Sequence, residues 1–249
     1  MKLRLPLLTL IWVSDSMCQL PLSVVFSLLG LSLCPRNCVW PSPQQVKKTL
    51  PSCFRKLYPK VRCIIDCFEC FTETPSGLDL AATLWSEYEH HYTFKVLVAI
   101  TPNGAISYVS SCYGGRTSDV FIARNSGFLN MIEPHDETMA NRGFKIREDL
   151  MMHMATVCMV TVCIPSSTQL LPRDVRETSN IANVRIYVEQ ALGQLKVFLL
   201  LKNELPITLL PLAYDIVRAS CSLCNLLPSL CVQYCCLQIC YHDYKVQTG

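Results

Sequence analysis

Cysteine is the residue type whose number and spacing first suggest chemistry in this chain. Among sixteen cysteines, Cys67–Cys70 and Cys221–Cys224 have the Cys-x-x-Cys spacing found in zinc sites. The first pair lies in a strand-like run, where residues three apart point to opposite faces. The second pair lies in an apolar helical stretch. We therefore interpret most cysteines as small buried hydrophobic side chains, with zinc binding, or disulfides in a secreted protein, as the alternatives.

The adjacent residues His90 and His91 are a second candidate for metal chemistry. Imidazoles bind transition metals, but neighbouring residues of an extended segment face opposite ways. We interpret the two histidines as polar surface residues.

The composition excludes several classes of protein. The chain has 249 residues, a formal net charge of +3, 51% hydrophobic residues and 16% charged residues, which excludes a largely disordered chain. Nine glycines and fifteen prolines without a repeat exclude fibrous and low-complexity classes. A net charge of +3 is too small to indicate a nucleic-acid partner, so any basic surface must be local.

The elements that must position functional side chains begin at Val61. Residues 61–68 are apolar and β-branched and predict a buried strand. Strands are also predicted over 93–100 and 105–111, joined by a turn at Thr101-Pro102-Asn103-Gly104. A helix from Ser118 to Ile132, a strand over 137–140, a helix over 145–154, a strand over 155–164 and helices over 173–201 and 209–226 follow. This order predicts an α/β fold with a mixed sheet covered by helices.

Six segments in the same part of the chain carry a resemblance to a known family. They are Ile65-Asp66-Cys67-Phe68-Glu69, Trp85-Ser86-Glu87-Tyr88, Ile100-Thr101-Pro102-Asn103-Gly104, Gly114-Gly115-Arg116-Thr117-Ser118-Asp119, Asn141-Arg142-Gly143-Phe144 and Asn183-Val184-Arg185-Ile186-Tyr187-Val188-Glu189. In this order they resemble the DDE superfamily endonuclease domain of Harbinger-type and related transposases, and of host proteins derived from them. The resemblance covers about residues 40–227.

The resemblance implies a ribonuclease-H-like fold, in which a mixed five-stranded sheet is flanked by helices. It also implies cleavage of DNA phosphodiester bonds with two divalent cations, Mg²⁺ or Mn²⁺, held by three carboxylates. Asp66 matches the first carboxylate of the family, on the first strand, and Glu189 matches the third, on the long helix. The second position falls on Asn141, because the family pattern Ala-Asp-Arg-Gly-Phe reads Ala-Asn-Arg-Gly-Phe over residues 140–144.

Asn141 is the main departure from the family pattern. An amide oxygen can bind a metal ion but carries no negative charge to offset the repulsion between two dications. We therefore expect the catalytic residues Asp66, Asn141 and Glu189 to form a metal site of weak or no activity. Asp119 is the nearest candidate for a compensating metal ligand, and its alternative interpretation is a first-turn helix residue after Ser118.

Five basic residues are expected around a DNA groove, where they would contact phosphates without reading bases. Ordinary solvated charge is the alternative for each. They are Lys95, Arg116, Arg142, Arg185 and Lys196.

The predicted function is that of a transposase-derived protein with a divalent-metal-dependent DNA endonuclease-type domain that is impaired by Asn141. The alternative is a domesticated, non-catalytic DNA- or protein-binding module on the same fold. Expected partners are DNA and a separate DNA-binding protein, and the expected location is the nucleus or the cytoplasm. A membrane partner is not expected.

Four regions are predicted along the chain. Residues 1–39 are interpreted as the remnant of a helix-turn-helix, residues 40–60 as a basic, proline-rich connector, residues 61–227 as the nuclease-like domain and residues 228–249 as a Cys-rich tail. Met1-Lys2-Leu3-Arg4 and the apolar run to Val13 also have the layout of a signal peptide, so secretion or membrane anchoring is the alternative for the N-terminus.

Overall fold

A mixed β-sheet organises the protein. The structure, a computed structural model, describes residues 38–140, 144–159 and 189–226. The long central strand β1 (Val61–Phe71) pairs antiparallel with β3 (His91–Ile100) on one side. On its other side β1 pairs in parallel with β6 (Glu137–Ala140), which pairs in parallel with β7 (Thr156–Met159). The predicted mixed α/β architecture is confirmed.

Three short strands pair one after another along the remaining edge of β3. They are β4 (Ile106–Val109), β5 (Tyr113–Gly114) and β2 (Trp85–Ser86), all antiparallel to β3. The sheet formed by the described residues therefore has seven strands, although it is five strands wide. The predicted number of five strands matches this width. The sequence did not predict that three short strands share the position next to β3.

The turn between β3 and β4 has the predicted geometry. Gly104 has a φ of +90°, which glycine adopts without the strain that a Cβ would bring. Its N–H donates to the Thr101 carbonyl oxygen at 2.8 Å, and the Thr101 N–H donates to the Ala105 carbonyl oxygen at 2.8 Å. These bonds close the predicted hairpin.

Helices cover both faces of the sheet. In chain order they are α1 (Pro43–Lys48), α2 (Ser52–Leu57), α3 (Leu78–Leu84), α4 (Asp119–Asn125), α5 (Arg147–Met152), α6 (the helical residues 189–195), α7 (Leu199–Lys202) and α8 (Ala213–Cys224). Two 3₁₀ helices, Phe128–Met131 and Ile207–Leu212, follow α4 and precede α8.

The alternation of side chains along β1 divides the core into two clusters. The first core lies on the face of Ile64 and Phe68 and receives residues from α1, α2, α6 and α8. The second core lies on the opposite face, that of Ile65, and receives residues from α4 and α5, among them Ile122 and Leu150. A side chain on β1 therefore belongs to one helical layer or to the other.

Residues 40–60 form part of the domain instead of a separate connector. Val46, Leu50 and Phe54 are 4%, 5% and 0% exposed and belong to the first core. Their spacing of four residues places them on one side of the two helices. The proline-rich segment thus contributes buried surface to the fold.

Three predicted helices differ from the structure. The helix predicted from Ser118 to Ile132 ends at Asn125, because Gly127 adopts a left-handed φ of +83° before the 3₁₀ helix Phe128–Met131. The helix predicted over 173–201 ends within the described residues at 195, and Phe198 is extended (φ −72°, ψ 124°) before α7 begins. The helix predicted over 209–226 begins as a 3₁₀ helix that contains Pro211, whose missing N–H cannot donate an α-helical hydrogen bond. Four predictions fall outside the described residues. They are the N-terminal remnant before residue 38, the part of the strand beyond Met159, the part of the helix over 173–188 and the tail after residue 226.

One helical stretch of the described chain is long and apolar enough to cross a membrane. Ile207–Cys224 has a mean hydropathy of 1.3 over 18 residues. Ala213, Val217 and Cys221 are 0–1% exposed and pack into the first core. The stretch is therefore apolar because one side of it packs into the core.

Candidate active site

Asp66 lies in the middle of β1, opposite Val98 of β3. Its side chain is half-buried and lies on the face of the first core, because Ile64 and Phe68 alternate with it in register. The Cys67 N–H donates to its Oδ1 at 2.9 Å. The pairing with β3 thus fixes the backbone of Asp66 on one side.

The parallel strand β6 ends beside this position. Ala140, its last residue, is in register with Ile65, the residue before Asp66. β6 therefore ends at the level of Asp66, one residue before the predicted second position of the site. Asn141 itself, and with it Arg142, lies outside the described residues.

Glu189 is exposed and lies on α6. The helix packs into the first core through Ala191 and Leu195, which are 1% and 0% exposed. Asp66 and the helix that carries Glu189 therefore lie on the same side of the sheet.

Lys196 shows that the end of α6 lies over β1. Its Nζ is 5.9 Å from the centroid of the Phe68 ring, and Phe68 is two residues from Asp66 on the same face. The ammonium group is exposed, so it can still meet an anionic ligand.

Asp119 lies with the opposite face of the sheet. Its Oδ1 is 3.6 Å from the Lys95 Nζ, and the Cys67 side chain hydrogen-bonds to its carboxylate. Lys95 is in register with Glu69, whose Oε2 is 3.9 Å away. Burial, and after it the negative charges of Asp119 and Asp66, raise the pKa of the Cys67 thiol. Asp119 is thus paired with a cation on the side away from Asp66, and its ligand role stays a prediction.

The structure supports the alternative interpretation of Asp119 as a helix-start residue. Ser118 is the N-cap of α4, and its Oγ accepts from the Phe121 N–H at 3.3 Å. Asp119 is the first residue of the helix, where a carboxylate interacts favourably with the helix dipole.

The glycines of the Gly114-Gly115 motif lie where the chain passes closest to its neighbours. A Cβ on Gly115 would be 2.2 Å from the Thr93 Oγ1 and 2.6 Å from the Leu84 carbonyl oxygen. A Cβ on Gly114 would be 2.3 Å from the Thr83 carbonyl oxygen. The two glycines therefore let the backbone pass close to α3 and β3 before α4 begins.

The predicted phosphate-contacting residues have different surroundings. Arg116 and Lys196 are exposed, whereas the Lys95 side chain is 14% exposed and already neighbours two carboxylates. Lys95 therefore contributes to an ion-pair network with Glu69 and Asp119, and its contact with DNA stays a prediction. Arg142 and Arg185 lie outside the described residues.

A known family covers the part of the chain that carries these carboxylates. A family model for the DDE superfamily endonuclease matches residues 65–225, more than half of the chain. The chain belongs to this family. The match includes β1 with Asp66 and all of α6 with Glu189. No curated protein and no solved structure matches the chain.

DDE superfamily endonucleases generally use divalent metal ions, and the donor atoms present here fit such ions. Asp66 and Glu189 supply carboxylate oxygens, the ligands that Mg²⁺ and Mn²⁺ prefer. Next to Glu189, the Gln190 Oε1 is buried without a hydrogen-bond partner among the described residues. In the described part of the chain, no three His, Cys, Asp or Glu side chains lie close enough to bind one ion. The described residues thus offer Asp66 and Glu189 as carboxylate ligands, and Asn141 stays the predicted third ligand outside the described residues.

The cysteine pair in β1 and the two histidines lie where the sequence analysis places them. Cys67 belongs to the second core and Cys70 to the first, so this Cys-x-x-Cys pair points to opposite faces as predicted. His90 is exposed, and the His91 Nε2 is 3.2 Å from the Glu204 Oε1. These positions agree with the interpretation of the histidines as polar surface residues.

Two features of the site were missed by the sequence reasoning. The first is the polar network in which Thr93 donates to Glu69, and Lys95 joins Glu69 to Asp119. Alternation along the strands could have indicated it, because Glu69 and Lys95 lie opposite each other on adjacent strands. The second is the buried amide of Gln190, for which the sequence offers no signal beyond its place after Glu189.

Proposed function

We propose that the chain is a transposase-derived protein of the Harbinger type, with a metal-dependent DNA endonuclease domain weakened by Asn141. The observation that carries the proposal is the common placement of Asp66 and α6 on one face of the sheet. β6 ends beside Asp66 on the same strand pair. The proposal therefore assigns the three ligands of the family to three separate elements of the fold.

The strand order supports a ribonuclease-H-like fold for this domain. Antiparallel pairing of β1 with β3 and of β3 with β4 is followed by the parallel neighbours β6 and β7. In this arrangement the last residue of β6 lies beside the middle of β1, and the first residue of β6 lies beside the start of β1.

Different residues would bind the cations and the DNA backbone during phosphodiester hydrolysis. Asp66, Asn141 and Glu189 would hold the divalent cations, which supply water activation and stabilisation of the leaving 3′ oxygen. The exposed cations Lys196 and Arg116 would orient the DNA backbone by contacting phosphates. Arg142 and Arg185 are proposed as further phosphate contacts.

Asn141 sets the expected strength of this activity. Two carboxylates and one amide carry one negative charge fewer than three carboxylates. Because two dications bound side by side would repel each other, the missing negative charge at Asn141 would weaken binding of the second ion most. We therefore propose an impaired enzyme instead of a fully active one.

The Asn141→Asp variant tests this proposal. The added carboxylate should raise Mn²⁺ affinity and nicking of plasmid DNA, and should destabilise the metal-free protein by repulsion from Asp66 and Glu189. Melting temperatures in EDTA and in Mn²⁺ measure both effects, and the metal-induced rise should be larger in the variant than in the parent.

Asn130→Asp is the matched control. Asn130 is exposed, so this substitution adds the same negative charge at a different place on the surface. Equal metal-induced shifts in the parent, the control and Asn141→Asp would contradict a ligand role for position 141.

A non-catalytic binding module is the second candidate, and the neutral Asn141 favours it. In that case the same fold holds DNA or a protein partner without cleaving phosphodiester bonds. Calorimetric titration with Mn²⁺ separates the two candidates. Heat of binding that disappears in Asp66→Asn supports the nuclease, and no metal uptake by the parent supports the module.

We propose that the protein acts in the nucleus, together with a separate DNA-binding protein. The family's action on DNA supports this location. A C-terminal fluorescent fusion should give nuclear fluorescence in cells. Fluorescence confined to the secretory pathway would support the signal-peptide interpretation of the N-terminus instead.

A further inference from the structure

The positive charge of the chain is concentrated in one short segment. Residues 38–60 contain no Asp or Glu and carry a formal charge of +5, whereas the whole chain carries +3. The remainder of the chain therefore has a formal charge of −2. We call the five cations the α1–α2 basic surface: Lys47, Lys48, Arg55, Lys56 and Lys60.

All five of these side chains are exposed. Within the described part of the chain, none of them lies within 4 Å of a carboxylate oxygen as an ion pair. The Arg55 Nη2 donates to the Leu50 carbonyl oxygen at 3.1 Å, which holds its guanidinium against the turn between the helices. Lys60 is near enough to the Glu137 carboxyl group for its charge to oppose the rise in pKa that burial causes there. The other four cations carry most of the unpaired charge of this surface.

The two helices hold the cations in place. Ser42 caps α1 with a capping box, in which its Oγ accepts from the Gln45 N–H and its N–H donates to the Gln45 Oε1. Val46, Leu50 and Phe54 then fasten α1 and α2 to the first core. A preorganised cationic surface loses less conformational entropy on binding than a mobile tail does.

The α1–α2 basic surface shares a face of the sheet with the candidate ligands. α1, α2 and α6 all pack into the first core, on the side of Asp66. Lys196 adds a further exposed cation on this side, over Phe68. Cations and carboxylates are therefore presented to the same side of the molecule.

We infer that the α1–α2 basic surface binds the phosphate backbone of duplex DNA next to the segment held at Asp66 and Glu189. The inference rests on the proposed function, because that function supplies the polyanion. It assigns the binding to α1 and α2, which lie before the matched region 65–225. Phosphate contacts of this kind position a duplex without reading its sequence.

The test is binding of a 30-base-pair duplex, measured by fluorescence anisotropy in EDTA over a series of NaCl concentrations. The double variant Lys47→Glu/Lys48→Glu should bind more weakly at every salt concentration. The slope of log K against log[NaCl] should be shallower by about 2, since each phosphate contact contributes about 0.9. The neutral variant Lys47→Gln/Lys48→Gln should show the same change in slope.

The matched control is Lys145→Glu/Arg147→Glu. It makes the same change in net charge at two exposed residues flanking Ile146, which belongs to the second core on the opposite face. This control should keep the parental slope. Equal losses in both charge-reversed variants, or an unchanged slope in the Gln variant, would overturn the inference.

Binding in EDTA also keeps this inference distinct from the proposed function. No cleavage is measured, so an inactive catalytic site leaves the result unaffected. An unchanged slope would remove the α1–α2 surface as a DNA contact, while the Asn141→Asp melting experiment would still decide the metal site. Binding to anionic lipid vesicles without binding to duplex DNA would assign the surface to another ligand.

Discussion

Burial determines the chemistry of the cysteines in the described part of the chain. Cys63 is fully buried on β1, and burial raises the pKa of its thiol to about 12. Burial likewise raises the pKa of Cys112 and of Cys224 to about 12. The thiolate is the form that attacks electrophiles and binds metals, so these thiols are inert at neutral pH.

These raised pKa values predict that the protein loses stability in alkaline solution. The unfolded thiol releases its proton near pH 9, whereas the folded Cys63 thiol keeps it until about pH 12. The stabilisation is complete below pH 9 and decreases by about 1.4 kcal/mol per pH unit for such a thiol as the pH rises toward 12. Urea unfolding of the parent and of Cys63→Ala at pH 7.5 and 10.5 measures it.

Cys63→Ala should be less stable than the parent at pH 7.5, because it leaves a cavity. Its deficit should shrink by about 2 kcal/mol at pH 10.5, where only the parent has the thiol to ionise. A deficit independent of pH would mean that Cys63 ionises in the folded protein as readily as in the unfolded chain.

The candidate carboxylates differ in how far the sequence predicts their surroundings. The family resemblance pointed to Asp66 and Glu189, and the structure puts Asp66 and the helix of Glu189 on the same face of the sheet. The environment of Asp119 could not be obtained that way, because its partner Lys95 is 24 residues away and was assigned to the surface. Ion pairs between distant segments depend on a packing that residue types do not encode locally.

At the scale of elements, the Gly114-Gly115 segment controls how α4 is joined to the sheet. The Gly115 N–H donates to the Thr93 carbonyl oxygen at 2.9 Å, and the Arg116 N–H lies 3.4 Å from the Thr83 carbonyl oxygen. The backbone therefore lies against both β3 and α3. Only hydrogen fits on the two glycine Cα atoms at this distance.

Gly115→Ala should destabilise the protein by about 3 kcal/mol, because its Cβ would overlap Thr93 and Leu84. Gly193→Ala is the matched control. Gly193 lies in α6 with no atom within 4 Å of an added Cβ, so alanine should stabilise this helix by about 1 kcal/mol. Denaturant unfolding measures both changes, and equal effects would refute the close approach at Gly115.

Elements with a local signal were predicted well. The hairpin turn at 101–104 and the strand Glu137–Ala140 have the predicted bounds, since turn residues and alternation specify them locally. The end of α6 was missed, because apolar residues continue at helical spacing through the break at Phe198. Tertiary packing decides where such a helix stops.

At the scale of the whole molecule, α1 and α2 complete the hydrophobic core on the Asp66 side. Their prolines and lysines suggested a connector, and that prediction gave too little weight to Val46, Leu50 and Phe54 at intervals of four. The apolar period indicated a buried helical side despite the breaker at Pro51. The position of that side against β1 could be known only from the fold.

Phe54→Ala should therefore cost about 3–5 kcal/mol, as expected for a fully buried phenylalanine. Tyr88→Ala is the control, because Tyr88 is 84% exposed and its truncation should change stability by less than about 0.5 kcal/mol. The comparison uses the full chain and thermal unfolding. A change in Phe54→Ala as small as in Tyr88→Ala would restore the connector interpretation.

The segmented pairing along β3 has a consequence for how copies of the chain behave at high concentration. A long unpaired strand edge is a template for strands of other molecules, and β3 carries the apolar run Val96-Leu97-Val98-Ala99-Ile100 that would favour such growth. Here β2, β4 and β5 cover its outer edge, and the longest of them has four residues. An incoming strand therefore meets short, offset pieces separated by turns, with no continuous ladder to extend. The division of one sheet position into three pieces protects this side of the molecule from aggregation.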